Sequence, residues 1–220
     1  MGFWLELYHR LGSPQWYYRL TAGWLPWLGA VAVLAMLTGS VWGLVFAPPD
    51  YLQGNSYRII FVHVPCAILA QSCYYMMAVA AVVHLVWRMK MADAAIAVAA
   101  PIGATFTAIA LLTGSVWGKP TWGAWWVWDA RTTSMLLLLF LYGAMIALRG
   151  AFESREQGAR LVALLVLVGV VNLPIIKFSV DWWLTLHQPS TFRITSRPSM
   201  PAAMYLPLLI NVIGLYLFFL

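Results

Sequence analysis

The sequence predicts an all-α integral membrane protein, a bundle of six transmembrane helices. Apolar residues make up 63% of the 220 residues, charged residues only 9%, and the mean hydropathy is +0.80. A soluble domain usually carries about 25% charged residues, because its surface must be hydrated. With so few charges, this surface must face lipid, and the bilayer is therefore the first expected partner.

The charged residues divide the chain into apolar segments, and each segment is predicted to be a membrane helix. No charge occurs from Thr21 to Pro49, and the next apolar segment lies between Arg58 and Arg88. Most segments approach or exceed the ~20 residues that cross ~30 Å of hydrocarbon. They form one domain, 1–220, without a repeat or a soluble part. The predicted helices are 23–47, 59–87, 94–117, 132–149, 160–178 and 202–220.

The number of crossings determines which connectors share a membrane face. The first, third and fifth connectors share one face, so Arg58, the tryptophan-rich segment 117–131 and His187 are predicted to lie together. The termini lie on the other face, with His9. Lys and Arg number seven on the terminal face and six opposite, so cytoplasmic termini are favoured by one residue. The first 20 residues lack a long apolar core, and no cleavable signal peptide is expected.

Net charge and cysteine content do not point to other functions. The formal charge is +6, but its cations are scattered between apolar runs, as loop charges of membrane proteins are. No nucleic-acid partner is therefore expected. Cys66 and Cys73 are seven residues apart in one helix, which places them two turns apart and beyond disulfide reach. They are expected to be small packing residues.

Five tryptophans occur within twelve positions of the third connector. Tryptophan is enriched at membrane interfaces, and an aromatic belt is the simplest explanation for one or two of them. Five in one connector, with an Asp and an Arg attached, favour a platform for a large planar ligand. Lys119 and Arg131 are suitably placed for its carboxylates or phosphates. The tryptophans are Trp117, Trp122, Trp125, Trp126 and Trp128.

Two histidines are predicted on the same face as this platform. His63 lies near the start of the second helix and His187 in the last connector. A single histidine at a membrane edge is usually structural, but neutral imidazoles are common axial ligands of heme iron and two fill both axial positions. His84 is about 30 Å from His63 along one helix, so it is predicted to be structural. His9 is predicted to be a surface residue.

The motif WGKPTWGAWWVWDAR resembles the WWD signature of the heme-handling family of cytochrome c biogenesis, and the resemblance is greatest to its CcmC branch. The flanking segments APPDYLQGNSYRIIFVHVP and VNLPIIKFSVDWWLTLHQPST are also similar to that family, so the resemblance covers about 24–191. It implies six membrane helices, heme b bound at segment 117–131, and axial ligation by His63 and His187. Arg131 and Arg58 are candidates for pairing with the heme propionates, and Asp129 for orienting Arg131 or contacting a chaperone.

The resemblance also implies partners and a location. The expected partners are the heme chaperone CcmE, the ATPase CcmA, and the membrane subunits CcmB and CcmD of an ABC-type complex. The expected location is the bacterial inner membrane, with the heme site facing the periplasm. The chain is expected to hold heme and hand it over without itself being an enzyme, although CcmE becomes covalently attached to heme at this subunit.

Other functions remain open at the level of the sequence. The main alternative is a transporter that moves heme across the membrane, although no polar site at mid-membrane depth is visible. A redox subunit would carry histidine pairs inside the bundle, whereas these histidines lie at its edges. A purely structural subunit could use the tryptophan-rich segment to dock another protein.

Overall fold

The computed structural model describes residues 2, 6, 9, 10, 12–188 and 200–220, which are mainly α-helical. In chain order the helices are α1 Pro14–Thr21, α2 Leu25–Val41, α3 Ile60–Trp87, α4 Lys90–Trp122, α5 Ala130–Gly150, α6 Arg155–Gly169, α7 Asn172–Trp182 and α8 Ala202–Phe219. A π-helical turn, Trp42–Phe46, extends α2, and a 3₁₀ turn, Ser56–Ile59, precedes α3.

Six stretches of the described chain are long and apolar enough to cross a membrane, which confirms the predicted fold class. Helices α6 and α7 together form the fifth of these stretches. The six are Leu25–Phe46, Ser56–Trp87, Lys90–Trp122, Ala130–Gly150, Arg155–Trp182 and Ala202–Phe219.

Helix α4 is longer than predicted, because its end is set by capping and not by charge. The sequence placed the end at 117, before Lys119 and Pro120. The Lys119 ammonium instead donates a hydrogen bond to the Gly123 carbonyl at 3.1 Å. Gly123 ends the helix with φ +78°, a left-handed conformation that glycine adopts readily. Trp117 and Trp122 therefore lie on the last turns of α4.

Helix α3 is the centre of the bundle. It packs against α4, α6 and α8, while α5 packs against α4, α6 and α7 and α2 packs mainly against α8. Tyr142 of α5 is fully buried and donates a hydrogen bond to the Ala70 carbonyl of α3 at 2.7 Å. A Cβ at Gly103 would lie 2.2 Å from the Tyr142 ring, so glycine is what lets α4 approach α5 this closely.

Two prolines leave backbone groups that other parts of the chain must accommodate. Pro65 lacks the N–H that would bond to the Phe61 carbonyl, and Asn211 of α8 donates to that carbonyl at 3.1 Å instead. Pro174 likewise cannot bond to Val170. The Leu173 N–H reaches the Val170 carbonyl at 3.1 Å, and the fifth span is interrupted at residues 170–171, between α6 and α7.

The helix ends define two faces of the molecule. We call the face where α3 begins and α4 ends the cavity face, and the other the opposite face. At the opposite face Asp93 and Arg149 form an ion pair at 2.7 Å, and Nδ1 of His84 lies 3.4 Å from the Met89 carbonyl. His84 thus has a local structural contact. Cys66 and Cys73 are buried free thiols, as predicted.

Candidate functional site

A cavity of about 400 Å³ lies among α3, α4, α5, α7 and α8 at the cavity face. Ligand pockets commonly have volumes of about 300–1,000 Å³. On α3 its lining extends from Ile60 to Gln71, which corresponds to a depth of about 16 Å along the helix. This extent is about half of the ~30 Å thickness of a bilayer core.

The cavity is mainly apolar at depth, where Gln71 is a polar exception, and it carries its aromatic side chains and its histidines nearer the rim. Its deep part is lined by Ala67, Ala110, Met135 and Ile176, among others. Below this level the bundle is closed by fully buried side chains, including Tyr74, Leu138, Tyr142 and Leu173. Such a space accommodates a ligand with a large apolar body and a polar edge.

His63 lies on the first turns of α3 and lines the cavity. Its Nδ1 is 3.1 Å from the hydroxyl of Thr113 on α4, and its ring meets the Trp117 indole edge-on with centroids 5.7 Å apart. A Cβ at Gly114 would lie 3.0 Å from Cε1 of His63. The absence of a side chain at 114 therefore leaves room for the imidazole.

His187 follows α7 and lines the same cavity. Its Nδ1 lies 2.7 Å from a carboxylate oxygen of Asp129, and its ring meets the Trp122 indole with centroids 4.7 Å apart. Burial lowers the pKa of His187, as does the nearby Arg131, while hydrogen bonding to Asp129 opposes both effects. The net lowering favours the neutral imidazole, which is the form that ligates metals.

Asp129 connects the tryptophan-rich segment to His187. One of its carboxylate oxygens caps α5 by accepting from the Thr132 N–H at 2.8 Å, and the Thr185 hydroxyl donates to the other. Burial raises the pKa of Asp129, but the hydrogen bonds from Thr132, Thr185 and His187 outweigh it and lower the pKa to about 2. The carboxylate thus stays ionised. Its hydrogen bonds go to these three residues and not to Arg131, which the sequence had suggested.

Four of the predicted tryptophans line the cavity: Trp117, Trp122, Trp125 and Trp126. Trp117 and Trp122 lie on the last turns of α4, and Trp125 and Trp126 lie in the connector that follows it. The buried Nε1–H of Trp126 has no hydrogen-bond partner within the described residues, so it is a donor available to a ligand. Trp128 is 73% exposed, packs edge-on against Trp126, and is not part of the cavity lining.

The two predicted arginines lie in different surroundings. Arg131 lines the cavity and donates from Nε to the Ser179 hydroxyl at 3.2 Å. Arg58 is not part of the lining, because its guanidinium donates to backbone carbonyls at the end of the first span, including Ala47 at 2.7 Å. Lys119 is engaged with Gly123, as described above, and is likewise outside the lining.

Several contributors to the site carry no sequence signal that we could interpret. Thr113, Gly114 and Thr185 hold or make room for the histidines, and Lys177 also lines the cavity. Only Thr185 could have been anticipated, because it lies two residues before His187 in the sequence. No group of three or more His, Cys, Asp or Glu side chains in the described ranges could hold a bare metal ion. Two imidazoles beside indole walls instead suit iron inside a planar macrocycle.

Comparisons with known proteins identify the family to which the chain is similar. The sequence model of the family described as "CcmC: Heme exporter protein C" matches residues 7–220. Heme exporter protein C of Escherichia coli strain K12 is 54% identical over 209 residues, which cover 95% of this chain and 84% of that protein. The Haemophilus influenzae protein of the same name is 47% identical over 206 residues, covering 94% and 84%. A putative cytochrome c biosynthesis ccmC-like mitochondrial protein of Marchantia polymorpha is 43% identical over 175 residues, covering 80% and 71%.

Proposed function

The chain belongs to the CcmC family of heme exporter protein C, and from this premise we propose that it binds heme b in the cavity and presents it for cytochrome c maturation. One observation carries the proposal: His63 and His187 line one cavity and each is oriented by a hydrogen bond and an indole. The relatives' names refer to heme and to cytochrome c biosynthesis, which supports heme as the cargo.

The remaining lining residues receive roles from their positions. The apolar depth of the cavity accommodates the macrocycle, and Trp122, Trp125 and Trp126 wall it at the rim. Arg131 is the favoured partner for a propionate, since it lines the cavity whereas Arg58 does not. An exposed arginine–carboxylate pair adds at most about 1 kcal/mol, so iron ligation and apolar contact must supply most of the affinity.

Holding and handing over requires no bond-making side chain, so we propose no catalytic residue in this chain. The receiving protein is proposed to be the chaperone CcmE, within an assembly that includes CcmA, CcmB and CcmD. The proposed location is the bacterial inner membrane, with the cavity face toward the periplasm and the termini in the cytoplasm. Trp128, exposed beside the rim, is available to a docking partner and not to the cargo.

Transport of heme through this chain is the second candidate function, because the relatives are named exporters. The closed core below the cavity argues against it, since Tyr74, Leu138 and Tyr142 are fully buried there. A proteoliposome assay with the purified chain separates the two functions. Heme held at the cavity face without appearing in the opposite compartment is expected for presentation.

Absorption spectroscopy of the purified protein loaded with hemin tests the proposed site. His63→Ala together with His187→Ala should abolish the low-spin spectrum typical of bis-histidine heme. The control is His84→Ala, which removes a histidine from the same helix as His63 but at the opposite face. An unchanged low-spin spectrum in the double variant would exclude the proposed ligands.

A further inference from the structure

The two histidines are held by hydrogen-bond acceptors of unequal strength. Nδ1 of His63 lies 3.1 Å from a neutral hydroxyl, that of Thr113. Nδ1 of His187 lies 2.7 Å from a carboxylate oxygen of Asp129. Hydrogen bonds to ionised groups are shorter and roughly twice as strong as those between neutral groups. The two sides of the cavity are therefore chemically different.

The Thr113 contact determines which nitrogen of His63 carries the proton. The hydroxyl of Thr113 has one hydrogen, and it donates within α4 to the Ile109 carbonyl at 2.6 Å and the Ala110 carbonyl at 3.2 Å. Its oxygen therefore accepts from Nδ1–H of His63. The lone pair of this neutral ring is then on Nε2, the nitrogen left for a metal.

The Asp129 contact does the same for His187, with a stronger acceptor. A carboxylate oxygen is a hydrogen-bond acceptor, so Nδ1 of His187 donates to it and Nε2 carries the lone pair. The Thr132 N–H and the Thr185 hydroxyl also donate to this carboxylate and fix its position. The ring centroids of His187 and Trp122 are also closer, at 4.7 Å, than those of His63 and Trp117, at 5.7 Å.

These contacts have a direct consequence for ligand strength. An imidazole that donates to a carboxylate gains negative character and becomes a better donor at its other nitrogen. We infer that His187 is the stronger axial ligand and His63 the weaker one, so that His63 is the ligand exchanged when heme leaves the cavity. Asp129 and Thr113 act as positioning residues.

The inference rests on the proposed function, because it needs heme between the two rings. The exchange is a simple substitution at iron. The bond from iron to Nε2 of His63 breaks, and a bond to a neutral nitrogen or oxygen donor of the receiving protein forms. No electron and no proton is transferred in this step.

Single-histidine variants of the full chain, purified in detergent and loaded with hemin, test the order of strength. His63→Ala should retain most of its heme in a five-coordinate, high-spin form, and added imidazole should restore the low-spin spectrum. His187→Ala should retain several-fold less heme. Equal retention, or better retention by His187→Ala, would overturn the inference. A low-spin spectrum that survives loss of both histidines would instead overturn the proposed function, so the two failures are distinguishable.

Redox titration of the loaded protein tests the positioning residues. Asp129→Asn keeps a good helix cap for α5 while removing the charge, and Thr113→Val keeps the branched shape while removing the hydroxyl. Asp129→Asn should raise the midpoint potential of the heme more than Thr113→Val, because a less anionic ligand stabilises ferric iron less.

The matched control for the titration is Thr105→Val. It removes another hydroxyl of α4, one that is exposed outside the cavity and donates to the Pro101 carbonyl. This variant should leave the potential unchanged. The inference that Asp129 strengthens its histidine more than Thr113 does would be overturned by either of two results. One is a shift in midpoint potential in Thr113→Val as large as that in Asp129→Asn, and the other is an equal shift in the control.

Discussion

Each imidazole of the cavity is fixed by two contacts, a hydrogen bond at Nδ1 and an indole edge. For His63 these come from Thr113 and Trp117, and for His187 from Asp129 and Trp122. Both indoles belong to the last turns of α4, and the connector after it supplies Asp129. The tryptophan-rich segment therefore orients the histidines in addition to walling the cavity.

The substitution Gly114→Ala tests whether the His63 ring needs the space that glycine leaves beside it. In Gly114→Ala the new Cβ would lie 3.0 Å from Cε1 of His63, so the ring must shift from its bond to Thr113. We expect a several-fold loss of heme occupancy, measured by absorption of the loaded protein. The control is Gly143→Ala in α5, where nothing lies within 4 Å of the new Cβ and stability should rise by about 0.4–1 kcal/mol. Equal occupancy in both variants would contradict the assigned role.

Some individual site residues could be anticipated from the sequence and others could not. Connector parity alone placed His63, His187 and the tryptophans on one face, because helix crossings alternate direction. The surroundings of Arg58 were not predictable in this way. Its carbonyl partners lie in and directly after the π-helical turn Trp42–Phe46, whose irregular hydrogen bonding has no signature in the sequence. The pairing of Asp129 with His187 spans 58 positions and depends on packing.

Single polar side chains connect elements within the apolar bundle. Asn211 of α8 is 2% exposed, donates to the Phe61 carbonyl of α3 and accepts from the Ser40 hydroxyl of α2 at 3.3 Å. The sequence shows Pro65, which frees that carbonyl, but it does not show which side chain compensates. A compensating donor can come from any neighbouring helix, so only the fold identifies it.

Asn211→Leu should loosen the outer pair of helices, α2 and α8, from α3. It leaves the Phe61 carbonyl without its donor, and polar contacts between membrane helices contribute about 0.6–1.7 kcal/mol. We expect a lower unfolding temperature in detergent by circular dichroism. Ser40→Ala removes only the longer bond and serves as the control, with a smaller decrease expected. Equal decreases in unfolding temperature would show that the hydrogen bond to the Phe61 carbonyl is not the main stabilising contact of Asn211.

The ion pair between α4 and α5 offers a second test at this scale. Asp93 and Arg149 are 2.7 Å apart, with side chains 12% and 22% exposed. Removing one partner of a buried pair costs about 3–5 kcal/mol, because the other charge stays buried. Asp93→Ala and Arg149→Ala should each destabilise the protein in SDS unfolding, and the double variant should lose less than the sum. The exposed pair of Glu6 and Arg10 is the control, with additive, small effects expected.

Helix length was the least predictable property of the elements. Charges divided the sequence into the right number of spans, because a charge inside hydrocarbon is costly. They did not locate the end of α4, where Lys119 folds back onto the Gly123 carbonyl and lets the helix continue. Nor did they reveal the interruption of the fifth span between α6 and α7. Pro174, which removes a helical N–H there, is visible in the sequence, but where α6 ends and α7 begins is not.

At the scale of the whole molecule, composition was sufficient for the fold class and insufficient for orientation. A chain with 9% charged residues has no soluble alternative. The sequence assigns seven Lys and Arg to the terminal face and six to the other face, however, so the positive-inside rule barely favours either direction of insertion. Partner subunits and the cargo also influence the orientation of such a protein, and its own charge balance carries no information about them.

Thiol labelling of intact spheroplasts tests the proposed orientation. Leu52→Cys lies in the connector before α3, where Leu52 is 77% exposed, and Glu156→Cys lies at the exposed start of α6 on the opposite face. A membrane-impermeant maleimide should label position 52 directly and position 156 only after permeabilisation. The parent chain is the blank, since Cys66 and Cys73 are buried. The reverse pattern would place the cavity in the cytoplasm.

The break between α6 and α7 gives the two histidines unequal support. His63 sits on α3, a helix of 28 residues held by neighbours on several sides, whereas His187 follows α7, only 11 residues long. His187 is joined to the start of α5 by its hydrogen bond to Asp129. The carboxylate that orients the ring thus also anchors the short end of the fifth span to its neighbour.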